Sequence, residues 1–356
     1  MRRSALAPLA LTLLTLLPAA ARAGEASEEA AARLLKDRMA NERPRDAALL
    51  AGVDGRDVVV VAGSMDRVQQ VLRRSSIPHT VIAPARVHAF DFNNDQIVMV
   101  NCPGEIGPKG REKLEKFVRA GGTLYTTDWS LRNVVQKTFP GTIRWNGRET
   151  DDHVVPVEVM ENGDELMNGM LLRKDGQPQW WLEGGSYPVK ILDPEKVEVL
   201  ASSRRMQQRY GSAPVVVRFR WHDGQVIHVV SHFYRQLSTQ GPMVAAASAV
   251  DGYGGLTAAQ KKAFKASAGG RVKAGDVESS YAFQQMTTNL VVTKQKQNED
   301  LDRLYDMTPR AEVELEGRKV KKGDRVRILS RKGGTVRVRD DRGNEAELPA
   351  AALEMR

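Results

Sequence analysis

One cysteine and six histidines bound the chemistry open to this 356-residue chain. Cys102 follows the apolar run Ile97-Val98-Met99-Val100-Asn101 and precedes Pro103-Gly104, where a buried strand would end. A lone thiol excludes an intramolecular disulfide and any multi-cysteine zinc or iron–sulfur centre. As a nucleophile Cys102 would need a base, and His232, after Val229-Val230-Ser231, is the candidate; the plainer expectation is an inert core thiol. Asp128 follows Thr123-Leu124-Tyr125-Thr126-Thr127 and precedes Trp129. At the carboxyl end of a strand its carboxylate could serve as nucleophile or general base. Aspartate is also among the best helix caps, and the cap is the expectation here.

Patterns for metal or cofactor binding are weak. His222, His228 and His232, with Asp151-Asp152-His153, supply donor atoms, but no His-x-His or His-Glu-x-x-His spacing joins them. If the strand continues past Val229, His228 and His232 point to one face. Asp91-x-Asn93-x-Asp95 opens like a calcium loop, yet Gln96 holds the glycine position and Cys102 the bidentate position. Gly63-Ser64 lacks a phosphate-binding pattern. No metal and no cofactor are therefore expected. Trp180-Trp181 precedes the Gly-flanked stretch Leu182-Glu183-Gly184-Gly185-Ser186, and adjacent aromatics on a strand cannot both face one core, so one is expected to be exposed or to cover a pocket.

The elements that must position these residues alternate. Val58–Val61, His79–Ile82, Ile97–Val100 and Thr123–Thr127 read as strands, separated by helical patterns through Val68, Val71 and Leu72 and through Leu114, Phe117 and Val118. Such alternation specifies an α/β fold with a doubly wound, mainly parallel sheet of flavodoxin-like type. Further strands from Val154 to Ser231, with a hairpin at Asp223-Gly224, extend it with an antiparallel edge. Residues 244–276 read as an ordered loop with a short helix, and Ser279 to Tyr305 as one long helix ended by Pro309. From there, period-two alternation with turns at Lys322-Gly323, Gly333-Gly334 and Arg342-Gly343-Asn344 specifies a small antiparallel β-barrel.

The formal charge of +9 invites a nucleic-acid reading, which its distribution weakens. Met1-Arg2-Arg3, the apolar run Ala5 to Leu17 and the Ala21-Arg22-Ala23 cleavage pattern read as a signal peptide, residues 1–23, too short for a membrane span. Removing it takes three arginines. Residues 310–356 carry thirteen Lys/Arg against nine acids, so most of the remaining excess lies there, interleaved with acids on what reads as a solvated face. The mature protein is expected in the periplasm or outside the cell, without a membrane span and without a nucleic-acid partner.

The stretch Val98-Met99-Val100-Asn101-Cys102-Pro103-Gly104, the turn Phe117-Val118-Arg119-Ala120-Gly121-Gly122, the strand ending Thr127-Asp128-Trp129, and Val229-Val230-Ser231-His232-Phe233 resemble the class I glutamine amidotransferase-like superfamily, including its trehalose-utilisation-type branch. Active members, the resemblance implies, place a cysteine on the turn after the fourth strand and activate it with a His-x-Glu pair. Here Asp128 or Trp129 holds the nucleophile position, Cys102 lies one strand earlier, and Tyr234 stands where the glutamate belongs after His232. Lys322-Gly323-Asp324-Arg325-Val326 with its following hairpin resembles a bacterial Src-homology-3-like module.

The resulting plan is a signal peptide (1–23), an N-terminal helical segment (24–52), an amidotransferase-like α/β domain (53–308) and a Src-homology-3-like barrel (309–356). The expected function is that of an exported, non-catalytic protein of the cell envelope. Its cleft, lined by Asn101, Cys102, Asp128, Trp129 and His232, would hold a small polar ligand or a partner loop, and residues 310–356 would contact an envelope protein or cell-wall component. The alternative is a hydrolase or sugar-modifying enzyme using Asp128 and His232 as an acid/base pair, distinguished by whether those two meet in a cleft or Asp128 caps its helix.

Overall fold

The computed structural model describes residues 19–356 except 161–163, 173–176, 233–242, 246–247, 249, 254–255 and 268–270. Most of the expected signal peptide lies outside the described residues; Ala19 to Ala23 open the first helix, α1 (Ala19–Glu42), which is followed by α2 (Pro44–Ala51). No helix among the described residues is long and apolar enough to cross a membrane.

Runs of β-branched residues form the centre of the fold. β1 (Val58–Val61) and β3 (Ile97–Val100) are buried along their whole length, as two-sided coverage by helices requires. They sit in an eight-stranded sheet with β2 (Thr80–Ile82), β4 (Thr123–Thr127), β5 (Glu158–Val159), β6 (Val197–Ser202), β7 (Pro214–Trp221) and β8 (Gly224–Val229), in the order β2-β1-β3-β4-β8-β7-β6-β5. The first five of these run parallel and the rest antiparallel, so the sheet is mixed. The Asp223-Gly224 hairpin forms as its sequence requires, with Trp221 opposite Gly224. It returns β8 alongside β4, and Val229 pairs with Thr127 while Thr126 pairs with Val100. The carboxyl ends of β3, β4 and β8 therefore emerge side by side, carrying Cys102, Asp128 and His232.

Two backbone features shape that edge. A Cβ on Gly63 would come within 2.1 Å of the Cys102 carbonyl, so only glycine lets the turn after β1 pass beneath the end of β3. β8 ends at Val229 and Ser231 adopts φ +72°, so the chain leaves strand geometry before His232 and the strand does not carry His228 and His232 on one face.

The short helix α3 (Val68–Arg74), α4 (Pro108–Arg119), α5 (Arg204–Tyr210), α6 (Ala258–Ser267) and the long α7 (Ala274–Leu304) complete the framework. α7 begins five residues before the expected Ser279 and buries Phe283, Met286 and Leu290 in the main core. Ala30, Ala31, Leu34, Leu35 and Met39 of α1 pack with Val277, Tyr281 and Val292 of α7 in a second cluster.

The C-terminal region is a separate antiparallel sheet of five strands, ordered Glu345–Pro349, Thr335–Asp340, Val326–Lys332, Met307–Pro309 and Leu353–Met355, with a hairpin of Val313–Leu315 and Arg318–Val320. Leu315, Val320, Val326, Val336, Val338 and Leu353 form its core. Its arginines do not all face solvent, as their interleaving with acids suggested. Arg339 is nearly buried and donates to the Arg119 carbonyl and to Asp223, both at 3.0 Å. Arg327 meets the same Asp223 at 2.6 Å, Arg325 meets Asp302 at 2.7 Å, and Arg342 donates to the Phe92 carbonyl at 2.6 Å. These guanidinium groups dock the module on the α/β body, because each finds there a carboxylate or carbonyl acceptor.

Candidate functional site

The site is built around the turn that follows β4. Asp128 has φ +43°, a left-handed conformation that costs a residue with a Cβ about 1–2 kcal/mol. Its N–H donates to the Val229 carbonyl at 2.9 Å and its own carbonyl accepts from Leu131 at 2.8 Å, so the turn is fixed to β8 on one side and to the following helical segment on the other. That segment, Leu131–Val135, is a π-helical turn without a side-chain cap. The expectation that Asp128 caps it is corrected: the left-handed turn sends the carboxylate across the sheet end. There Oδ1 accepts from the Tyr187 N–H at 2.8 Å, Oδ2 accepts from the Ser186 hydroxyl at 3.0 Å, and Oδ2 lies 3.3 Å from His232 Nε2. Burial pushes the Asp128 carboxyl up to about 6, against the pull of His232, the Tyr187 amide and the Ser186 hydroxyl.

His232 meets the Glu183 carboxylate through Nδ1. The carboxylate against His232 therefore comes from another element of the chain. Glu183 follows the strand Gln179–Leu182, its N–H donates to Ser231 Oγ at 3.0 Å, and the neighbouring Trp180 donates through Nε1 to the Val230 carbonyl at 3.2 Å. Sequence reasoning missed Glu183, whose one signal was its place before Gly184-Gly185 next to the paired tryptophans. Those tryptophans divide as strand alternation requires: Trp180 is buried, and Trp181 is half-buried and donates to Asp152 at 2.6 Å.

Cys102, one strand away in sequence, comes within reach in space. Its Sγ, an Asp128 carboxylate oxygen and a His232 ring nitrogen all lie within 4.8 Å of one another. The Cys102 N–H donates to Thr127 Oγ1 at 3.1 Å, which holds the end of β3 against β4. Burial, and next the Asp128 carboxylate, push the thiol far above its ordinary range, so it stays protonated and is a poor nucleophile.

Exposure is 0 % for Cys102, 1 % for Asp128 and 3 % for His232, so the cluster is closed off from solvent rather than open. Trp129 contributes to the covering layer: its Nε1 donates to the Gly185 carbonyl at 2.7 Å and its ring stacks on Tyr187 at 5.7 Å, with Tyr187 stacked on Trp145 at 4.5 Å. Asn101 has a different task. Its Oδ1 accepts from the Val68 N–H at 3.2 Å and its amide donates to Gln69 at 2.9 Å, so it fastens the start of α3 to the end of β3. His228 is fully buried on β8 beside Thr126 Oγ1 at 2.9 Å, and burial brings its imidazole down to about 3, so it is neutral. Asp151 pairs with Arg209 at 2.8 Å and His153 turns to the Asp151 carbonyl at 3.1 Å, a local arrangement at the protein surface.

No family model and no curated protein matches this chain. Solved structures match it in part. They include a β-galactosidase from Rahnella sp. R3 (14 % identity, 84 % of this chain and 40 % of that one, TM-score 0.37) and the cytoplasmic protein STM3548 from Salmonella typhimurium (11 %, 61 % and 100 %, 0.36). A ThuA-like protein from Bacteroides uniformis is a third (12 %, 48 % and 79 %, 0.34). The chain spans about a third of an exo-β-1,4-mannosidase from an Opitutaceae bacterium, at 31 % of its length, with 9 % identity and a TM-score of 0.33.

Proposed function

We propose that this chain is an exported, non-catalytic amidotransferase-like protein of the cell envelope that binds a small polar ligand at the Cys102–Asp128–His232 cluster. The observation that carries the reading is the state of Asp128. It occupies the turn where an active member of the superfamily would present its thiol, and both its oxygens are already engaged by Tyr187, Ser186 and His232 beneath Trp129. Nucleophilic attack needs a lone pair free toward a substrate about 3–3.5 Å away, and three of this carboxylate's roughly four lone-pair sites already face Tyr187, Ser186 and His232. The parallel strands run β2-β1-β3-β4-β8, and a flavodoxin-like reading of that order would put a ligand outside the carboxyl ends of the strands. Export rests on the Met1 to Ala23 pattern. On the Src-homology-3-like module, Lys319, Lys322 and Arg337 are 71 %, 69 % and 57 % exposed and each is paired with a carboxylate, a mixed-charge surface for an envelope protein or cell-wall component.

A second reading, a hydrolase or sugar-modifying enzyme, is favoured by one observation. Asp128 and His232 lie 3.3 Å apart, and Glu183 on the far side of the imidazole orients it as an acid/base catalyst requires.

The test uses the mature chain and its Asp128→Asn variant with a panel of amides, amino sugars and cell-wall fragments. Heat of binding and product by mass spectrometry are read together. Binding lost in the variant with no product formed supports the proposal. Product that the variant fails to form establishes the second reading, and neither binding nor product overturns both.

A further inference from the structure

We propose that Cys102, Asp128 and His232 form a binding site for a divalent transition metal ion of the zinc class. This rests on the reading of the cluster as one that binds rather than attacks, and it names the ligand.

The donor set carries the argument first. A thiol sulfur, a carboxylate oxygen and an imidazole nitrogen, one from the end of each of three adjacent strands, converge within 4.8 Å with all three residues buried. Sulfur and imidazole together select borderline and soft ions over magnesium or calcium, which take oxygen. The spacing also fits. A tetrahedral ion with bonds to nitrogen and oxygen of about 2.0–2.2 Å holds those donors about 3.3–3.5 Å apart. The separation from Asp128 Oδ2 to His232 Nε2 is 3.3 Å.

The surroundings supply the second argument. A metal-binding histidine characteristically engages a carboxylate through its other ring nitrogen, which fixes its tautomer and raises its basicity. Glu183 does this at His232 Nδ1, leaving Nε2 directed at Asp128 and the centre of the cluster. Ser186 and the Tyr187 amide orient the Asp128 carboxylate, and Thr127 holds the backbone of Cys102. The charge balance points the same way. Asp128 and Glu183 face His232 from its two ring nitrogens, so two carboxylates flank one imidazole. A divalent cation answers that excess, and on coordination the thiol gives up its proton to solvent and binds as thiolate. Three protein donors leave the fourth position of a tetrahedron to one further ligand.

The experiment strips the full, untagged chain with a chelator and titrates it with cobalt(II) alone, then displaces cobalt with zinc. The expected result is one equivalent bound, with a thiolate-to-cobalt charge-transfer band in the near ultraviolet and the visible bands of a tetrahedral ion. Cys102→Ser should lose the charge-transfer band, and His232→Gln should abolish stoichiometric binding. Glu183→Gln should keep the band but bind about 10–100-fold more weakly. Melting curves of the stripped variants show that each is folded. Absence of the band in folded wild-type protein, or a spectrum unchanged by Cys102→Ser, overturns the site. Ligand binding that persists in stripped protein lacking the band would sink the metal alone, whereas Asp128-dependent product would sink the non-catalytic reading.

Discussion

Replacing Lys294 with methionine should remove one pH-dependent contribution to the stability of the fold. Lys294 on α7 is 1 % exposed, and its ammonium group donates to the carbonyls of Asn94 at 2.5 Å and Gly121 at 2.8 Å, at the end of the sheet opposite the site. Burial, reinforced by Arg325 and opposed by Asp95, brings this lysine from 10.5 down to about 7. Between those two values the unfolded chain carries the proton and the folded chain does not. The unfolded state therefore binds more protons, and stability rises with pH through that window. Below about pH 7 the folded chain carries the buried charge and the penalty is nearly complete. At about 1.4 kcal/mol per unit of pKa difference, raising the pH from about 6 to about 9 should stabilise the wild type by about 3 kcal/mol relative to Lys294→Met. The loss of the two hydrogen bonds in the variant adds an offset that does not vary with pH. Urea unfolding followed by tryptophan fluorescence, run on both proteins at each pH, measures the difference directly. A difference that stays constant, or that falls as pH rises, would show that Lys294 remains a charged donor throughout and would refute the reasoning.

Three further outcomes follow from the same geometry. Asp128→Ala should lose about 2–6 kcal/mol in urea unfolding, because the Tyr187 amide and Ser186 hydroxyl each forfeit an acceptor. Asp128→Gly should be less damaging by about 1 kcal/mol, since glycine relieves the left-handed turn; an alanine variant as stable as the glycine one would remove strain from the account. Arg339→Met should cost about 1.5–3 kcal/mol, because Asp223 and Glu345 lose a nearly buried partner while Arg327 and Arg337 still answer their charges. Amide exchange across Thr335–Asp340 should then accelerate, and unchanged exchange would mean that the module docks by other contacts. Iodoacetamide should leave Cys102 unlabelled in the native, metal-free chain and label it fully after unfolding, as intact mass reads; native labelling would restore the thiol as a nucleophile.

The sheet was legible because its signals are local. Val58–Val61 and Ile97–Val100 are unbroken β-branched or apolar runs, which a strand covered on both faces demands, and Asp223-Gly224 carries its own turn chemistry. The long helix was legible from its periodicity, though not its first turn, since Ala274 to Glu278 carry no strong start signal. The site was legible only in part. Cys102, Asp128, Trp129 and His232 meet because parallel strands bring their carboxyl ends to one edge, which alternation of elements foretells. Glu183 comes from a strand some fifty residues earlier, and no spacing in the chain encodes its contact with His232. The direction of the Asp128 carboxylate was hidden for another reason. Aspartate before a helical segment is the usual cap pattern, and only the left-handed φ reveals that the side chain turns away. The docked arginines of the C-terminal module were illegible likewise, because Asp223, Asp302 and the Phe92 carbonyl lie on distant elements.

The central claim is that Asp128 serves a binding cluster and not a reacting one. Product release by the wild type and by Asp128→Asn, measured side by side over the same panel of amides, amino sugars and cell-wall fragments, tests it most directly. The account predicts both proteins at the uncatalysed background, with ligand heat in the wild type alone. A rate of product formation that the wild type shows and Asp128→Asn lacks would contradict it.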